Sequence, residues 1–170
     1  MHIRRALLFA LLAAAPLRAG QIWRVDDDGP ADAPDLDAVQ LLAAPGDTVL
    51  VEPGHYPPFH LQESLTVVGS THGERPRFDG PSFVTATDGF VLAGLELTAL
   101  AVWSVNGPSL LDDCVLRGAD AFPALEVTGH ARLVVQRSRS VGGAAALGVP
   151  PPPELRVQAS ELVSVDCAWG

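Results

Sequence analysis

Asp112 and Asp113 form the only adjacent carboxylate pair inside the repeating part of the chain, with Arg117 close behind and Arg137 and Arg139 further on. Two carboxylates can hold a divalent cation, or divide into an acid and a base when their surroundings push their pKa values apart. Arginines nearby would neutralise an acidic sugar. Neighbouring residues of a strand, however, point to opposite faces, and Asp113 stands where a turn is expected. Asp tolerates the backbone such a turn requires, so the pair also has a purely structural reading.

A second acidic group, Asp26-Asp27-Asp28, offers oxygen ligands for calcium. It lacks the alternating Asp-x-Asp-x-Asp-Gly spacing that wraps one ion, so a solvated turn is the competing reading. His55, Tyr56 and His60 lie close together in a Pro-rich stretch. Two histidines without a third ligand fall short of a zinc site.

Composition narrows the setting of these residues. The chain has 170 residues, 48% of them hydrophobic, enough for one modest domain. Its formal charge is −9, and all 11 basic residues are arginine. That acidity argues against nucleic-acid binding, which needs a basic footprint, and against docking on an anionic membrane. Arg4 and Arg5 followed by the apolar run Ala6 to Ala15, Pro16 and the small Ala19 read as a signal peptide over residues 1–19. That run is too short to span a bilayer. With Arg4, Arg5 and Arg18 removed, 8 basic residues face 20 acidic ones. The mature chain is therefore expected to be exported, extracellular or periplasmic, without membrane insertion.

The elements that must position the candidates are short. Ile22-Trp23-Arg24-Val25 reads as a strand. Leu36, Val39, Leu42 and Ala43 have helical spacing, so a helix is expected from Asp35, as N-cap, to Ala44, stopped by Pro45-Gly46-Asp47. Thr48-Val49-Leu50-Val51 reads as the next strand, and β-branched runs then alternate with Gly, Pro and Asp. Four of these runs superimpose, beginning at Leu92, Leu111, Val135 and Val157, with offsets of 19, 24 and 22 residues. A period in the twenties belongs to solenoids whose turns stack at about 4.8 Å. Leu92, Leu111, Val135 and Val157 then form one inward column. Leu95, Cys114, Ser138 and Ser160 form a second, and Leu97, Leu116, Ser140 and Leu162 a third. Outside, Arg139 faces Glu161 and Asp113 faces Arg137.

On this alignment Cys114 is a buried thiol, and Cys167 falls two turns later on a different strand. Two turns alone exceed disulfide reach, so both cysteines are expected free. The helix is expected to cap the N-terminal end. At the C-terminal end Trp169 is the natural plug, unless that end docks on a second copy.

Trp23-Arg24-Val25-Asp26-Asp27-Asp28, Pro45-Gly46-Asp47-Thr48-Val49-Leu50-Val51, Pro53-Gly54-His55-Tyr56, Leu65 to Ser70 and Gly89 to Leu95 resemble the N-terminal cap and first turns of the pectin-lyase-like superfamily. The likeness is to its exported, repeat-containing bacterial members. It implies an all-β fold: a short right-handed parallel β-helix with an N-terminal capping helix. Residues 22–47 would supply the first strand and cap, and residues 48–170 the coils, within one domain from 20 to 170. The motifs that carry pectin methylesterase, pectate lyase and galacturonan hydrolase chemistry are not matched. A non-catalytic exported module that contacts a glycan or a surface protein is therefore expected, with no confident cofactor. Two alternatives stay open. One is a lyase or esterase on acidic polysaccharide using Asp112, Asp113, Arg117, Arg137 and Arg139. The other is a truncated remnant that dimerises through its C-terminal coil.

Overall fold

A computed structural model of the chain describes residues 20–103, 105–119, 122–141 and 155–167. The expected signal peptide and the Trp169 plug lie outside these residues. Among the described residues thirteen strands are joined into one hydrogen-bonded sheet, and every pair of these strands is parallel. The described part is thus all-β with parallel pairing, as expected.

The pairs fall into three ladders. The first runs through β1 (Ile22–Val25), β2 (Thr48–Val51), β5 (Thr66–Gly69), β7 (Val91–Ala93), β9 (Pro108–Asp112) and the second halves of β11 (Leu125–Gln136) and β13 (Leu155–Val165). The second joins β3 (His55–Tyr56), the starts of β6 (Arg77–Val84) and β8 (Glu96–Trp103), β10 (Val115–Arg117) and β12 (Arg139–Val141). The third joins β4 (His60–Leu61), the ends of β6 and β8, and the first halves of β11 and β13.

Alternation within each strand makes the core. In β2 and β5 every second residue is buried, so Val49, Val51 and Val67 face inward. Tyr56 stacks on Phe78 at 5.3 Å between ring centres, and Phe59 meets Phe78 edge-on at 4.9 Å. The small inward serines are used rather than wasted. Ser138 Oγ accepts from the Cys114 amide (3.0 Å) and donates to the Gln136 carbonyl (2.9 Å), so burying it leaves no orphaned hydroxyl.

The single turn between the first and second ladders recurs with left-handed backbone at Gly94 (φ 68°), Asp113 (φ 50°), Arg137 (φ 49°) and Asp166 (φ 51°). Three of these match the expected turn column; the fourth does not. Val135 is in register with Ser164, not with Val157, which pairs with Val127 in the third ladder. The last repeat is therefore displaced, and Leu162 and Glu161 lie beside Leu133 and Arg132 instead of Ser140 and Arg139. Cys167 follows Asp166 as Cys114 follows Asp113, so it belongs to the same column as Cys114. The two are still separated by the layer of Ser138, about 9.6 Å over two layers, and both are free.

The helix is shorter than its periodicity suggests. α1 spans Leu36–Gln40, with the Asp35 carboxylate accepting from the Ala38 amide at 2.7 Å. Leu36 and Val39 are buried, but Leu42 is 52% exposed. The chain leaves the helix because Asp47 captures the Ala44 amide (2.9 Å) just before Pro45. α1 nevertheless covers an edge: the Gln40 side chain donates to the His60 carbonyl (3.1 Å) and accepts from the Gln62 amide (2.9 Å), taking the place of a neighbouring strand beside β4.

Candidate functional site

Two outward faces and one acidic turn carry the side chains capable of chemistry. The acidic turn is occupied structurally. Asp27 Oδ2 accepts from the His55 amide at 3.0 Å, covering the open edge of β3 as Gln40 covers β4. Asp26 Oδ1 accepts from the Asp28 amide at 3.4 Å. Carboxylate oxygens of Asp26, Asp27 and Asp28 lie within 4.8 Å of one another, so this trio has the donor type a calcium ion takes. His55 and His60 part company: His55 sits on the second ladder and His60 on the third, where its Nε2 meets Thr85 Oγ1 at 3.0 Å.

The outward column His55, Arg77, Glu96, Val115, Arg139 runs up the second ladder. Stacking of neighbouring strands, and the two-residue spacing within β6, set opposite charges side by side. His55 Nδ1 meets Asp79 Oδ2 at 3.1 Å, Arg77 Nε donates to Asp79 Oδ1 at 2.7 Å, and Arg117 Nε donates to Glu96 Oε1 at 2.6 Å. Val115, in register between Glu96 and Arg139, is buried, and Arg139 is exposed with no ion pair among the described residues. Along one side of this column His55, Glu74, Arg75, Arg77 and Glu96 border a groove of about 550 Å³.

Asp112 and Asp113 do not act as a pair. Asp113 shares its turn column with Arg137 but does not pair with it; both Asp113 carboxylate oxygens accept from Arg75 Nη2 at 2.9 Å, while Arg137 donates to Asp112 Oδ2. Asp112 Oδ1 is buried without a partner.

The local electrostatics reinforce this pattern. Burial works against ionisation of Asp79, but hydrogen bonds from His55 and Arg77 outweigh it and hold the carboxyl below its ordinary value. The hydrogen bond to Glu96, with its charge, raises Arg117. Both groups are fixed in their charged forms, opposite to the tuning that acid–base catalysis near neutral pH demands.

Burial pushes the Cys114 thiol from 9.0 up to about 11, so it is an inert core residue rather than a nucleophile. Burial, then Asp27 and Asp26, raises Tyr56 from 10.0 to about 12. The folded chain keeps these protons while an unfolded chain releases them, so ionisation of the unfolded state favours unfolding. Stability is expected to hold until the ordinary thiol value of 9.0 and then fall, Cys114 alone contributing a loss of about 2 kcal/mol by pH 11. Urea unfolding at stepped pH measures this, and Cys114→Ala should flatten the decline.

The outward face of the third ladder is unlike the second. Phe83, Ala101 and Glu126 are in register, as are Pro81 and Ala99. Phe83 lies 5.0 Å from Trp103 at 47°, and Trp103 and Phe122 are each 40% exposed. Pro81, Phe83, Ala99, Trp103, Phe122 and Glu126 enclose much of a trough of about 240 Å³. None of these was a sequence candidate. The one local signal was an aromatic at an outward position of a strand.

In comparison with known proteins, the chain matches no family model, no curated protein and no solved structure. Among the described residues no helix is long and apolar enough to cross a membrane.

Proposed function

We propose that the chain is an exported right-handed parallel β-helix that works as a non-catalytic contact module, with polysaccharide as the surface it meets. Three parallel ladders, a recurring left-handed turn and a helix covering the N-terminal edge support the β-helix reading and the pectin-lyase-like resemblance. The export reading rests on the signal-like first 19 residues.

One observation carries the non-catalytic reading. The carboxylates expected to do chemistry are tied to arginines, Asp112 to Arg137 and Asp113 to Arg75, and the candidate Arg117 is itself tied to Glu96. A ladder that stacks like positions turns outward charges into rungs, and rungs of alternating sign favour the stacked register. Such exposed pairs contribute less than about 1 kcal/mol each. They leave Asp112 and Asp113 facing different arginines, not poised to share one proton or one ion.

The test is binding of the mature protein to acidic and neutral polysaccharides, with and without calcium, while following unsaturated and de-esterified products. Binding without turnover is expected, unchanged in Asp112→Ala. Turnover that Asp112→Ala abolishes would replace this reading with a lyase or esterase centred on that turn. Absence of binding to every glycan would overturn the polysaccharide assignment.

A further inference from the structure

We propose that Asn106 is a site of spontaneous covalent modification, closing onto the amide nitrogen of Gly107 to form a succinimide that opens mainly to isoaspartate. The inference stands apart from the polysaccharide reading. It concerns how long the corner before β9 keeps its register.

Asn106 is the one asparagine of the chain, and glycine follows it. Glycine carries no Cβ to screen its own amide nitrogen from the preceding side chain. Asn106 is exposed in irregular backbone between β8 and β9, and its side chain makes no hydrogen bond among the described residues. The Gly107 N–H likewise has no acceptor among the described residues. In a strand or helix that N–H would be committed to a ladder. Here the electrophile and the nucleophile are adjacent in sequence and both unengaged.

Glycine stands at 107 for a separate reason. The register of β7 and β9, with Val91 beside Leu110, continues back to the corner, where the Asn106 amide donates to the Thr87 carbonyl at 3.2 Å. Gly107 therefore lies against Asp88 of the layer before. A side chain at 107 would run into the Asp88 carbonyl and the Gly89 amide. Close packing of two layers thus demands the residue that leaves the asparagine unscreened.

The Gly107 nitrogen gives up its proton to solvent base and attacks Asn106 Cγ. A C–N bond forms, the side-chain nitrogen leaves as ammonia, and a five-membered imide results. Water then adds to one of the two imide carbonyls. Breaking the nitrogen's bond to Cγ restores the ordinary backbone as aspartate. Breaking its other bond routes the backbone through the side chain as isoaspartate, with no oxidation or reduction. Isoaspartate adds one methylene to the main chain at a corner where Gly107 has no room to move. The pairing of β9 with β7 is expected to loosen, since a slip at the start of a strand misaligns all of it.

The experiment incubates the folded mature protein at mildly alkaline pH, maps its peptides by mass spectrometry and assays isoaspartate with an isoaspartyl methyltransferase. A gain of one mass unit confined to the peptide holding residue 106 is expected, most of it as isoaspartate. Asp28, Asp79 and Asp88 also precede glycine, but rearrangement there changes no mass. Asn106→Gln, whose ring would need a sixth member, should slow the gain by about tenfold or more. The isoaspartate fraction should unfold at lower urea than the starting protein. Asn106→Asp, with the same charge on an ordinary backbone, should unfold with the wild type. No gain in the folded protein, or a gain only after unfolding, would overturn the site. An equal rate in Asn106→Gln would overturn it as well. An isoaspartate form as stable as the wild type would overturn its effect on β9.

Discussion

Leu111→Asp is expected to abolish cooperative folding, whereas the native aspartate one residue later costs the protein little. Leu111 is fully buried between Leu92 and Val135 in the first ladder. A carboxylate there would have no partner, and the penalty, about 5 kcal/mol or more, reaches the lower bound of a small domain's whole stability. Leu111→Ala should be survivable, at about 2–5 kcal/mol for lost burial and the cavity left behind. Asp112→Ala removes a surface pair with Arg137 and also an oxygen buried without a partner, so a change within about 1 kcal/mol is expected. Urea unfolding of the three variants followed by circular dichroism checks this. Equal damage at 111 and 112 would refute the inward–outward alternation.

The second large effect is expected at Asp47. Its carboxylate is buried and accepts from the Gln21 amide (2.8 Å), the Trp23 indole (3.0 Å) and the Ala44 amide (2.9 Å). It thereby ties β1, the end of the helix and β2 into one corner. Asp47→Ala leaves three donors without their acceptor, a loss of about 3–5 kcal/mol. Asp47→Asn keeps one accepting oxygen, so it should fall between alanine and wild type. Chemical denaturation gives the magnitudes. Thermal scans of Trp23 emission should show the N-terminal corner loosening before the remaining strands. Alanine behaving as wild type would mean that this corner is held by the strands alone.

Much of the frame was legible locally. Ile22–Val25 and Thr48–Val51 are strands as alternation predicts, because a half-buried strand writes its two faces into every second residue. Asp35 caps the helix as its side-chain chemistry requires. The inward columns Leu92–Leu111–Val135 and Leu97–Leu116–Ser140 follow from pattern as well. The last repeat failed for a physical reason. Val157 to Leu162 fits the local template, but strands of the first and third ladders share that period-two pattern. Only hydrogen-bonded register distinguishes them, and it puts Val157 beside Val127.

The partners of the charges were decided at the same level. Asp113 finds Arg75 from a loop 38 residues earlier, a contact no repeat alignment contains. Asp47 was visible only as part of a helix stop, since its three donors converge from separate segments. The trough is the extreme case. Phe83, Ala101 and Glu126 come from three strands and acquire meaning only when stacked. By itself the sequence determined which residues are strand, turn and core, because burial and backbone preference act locally. Tertiary structure decided which outward side chains meet, because that depends on register between strands some 20 to 30 residues apart.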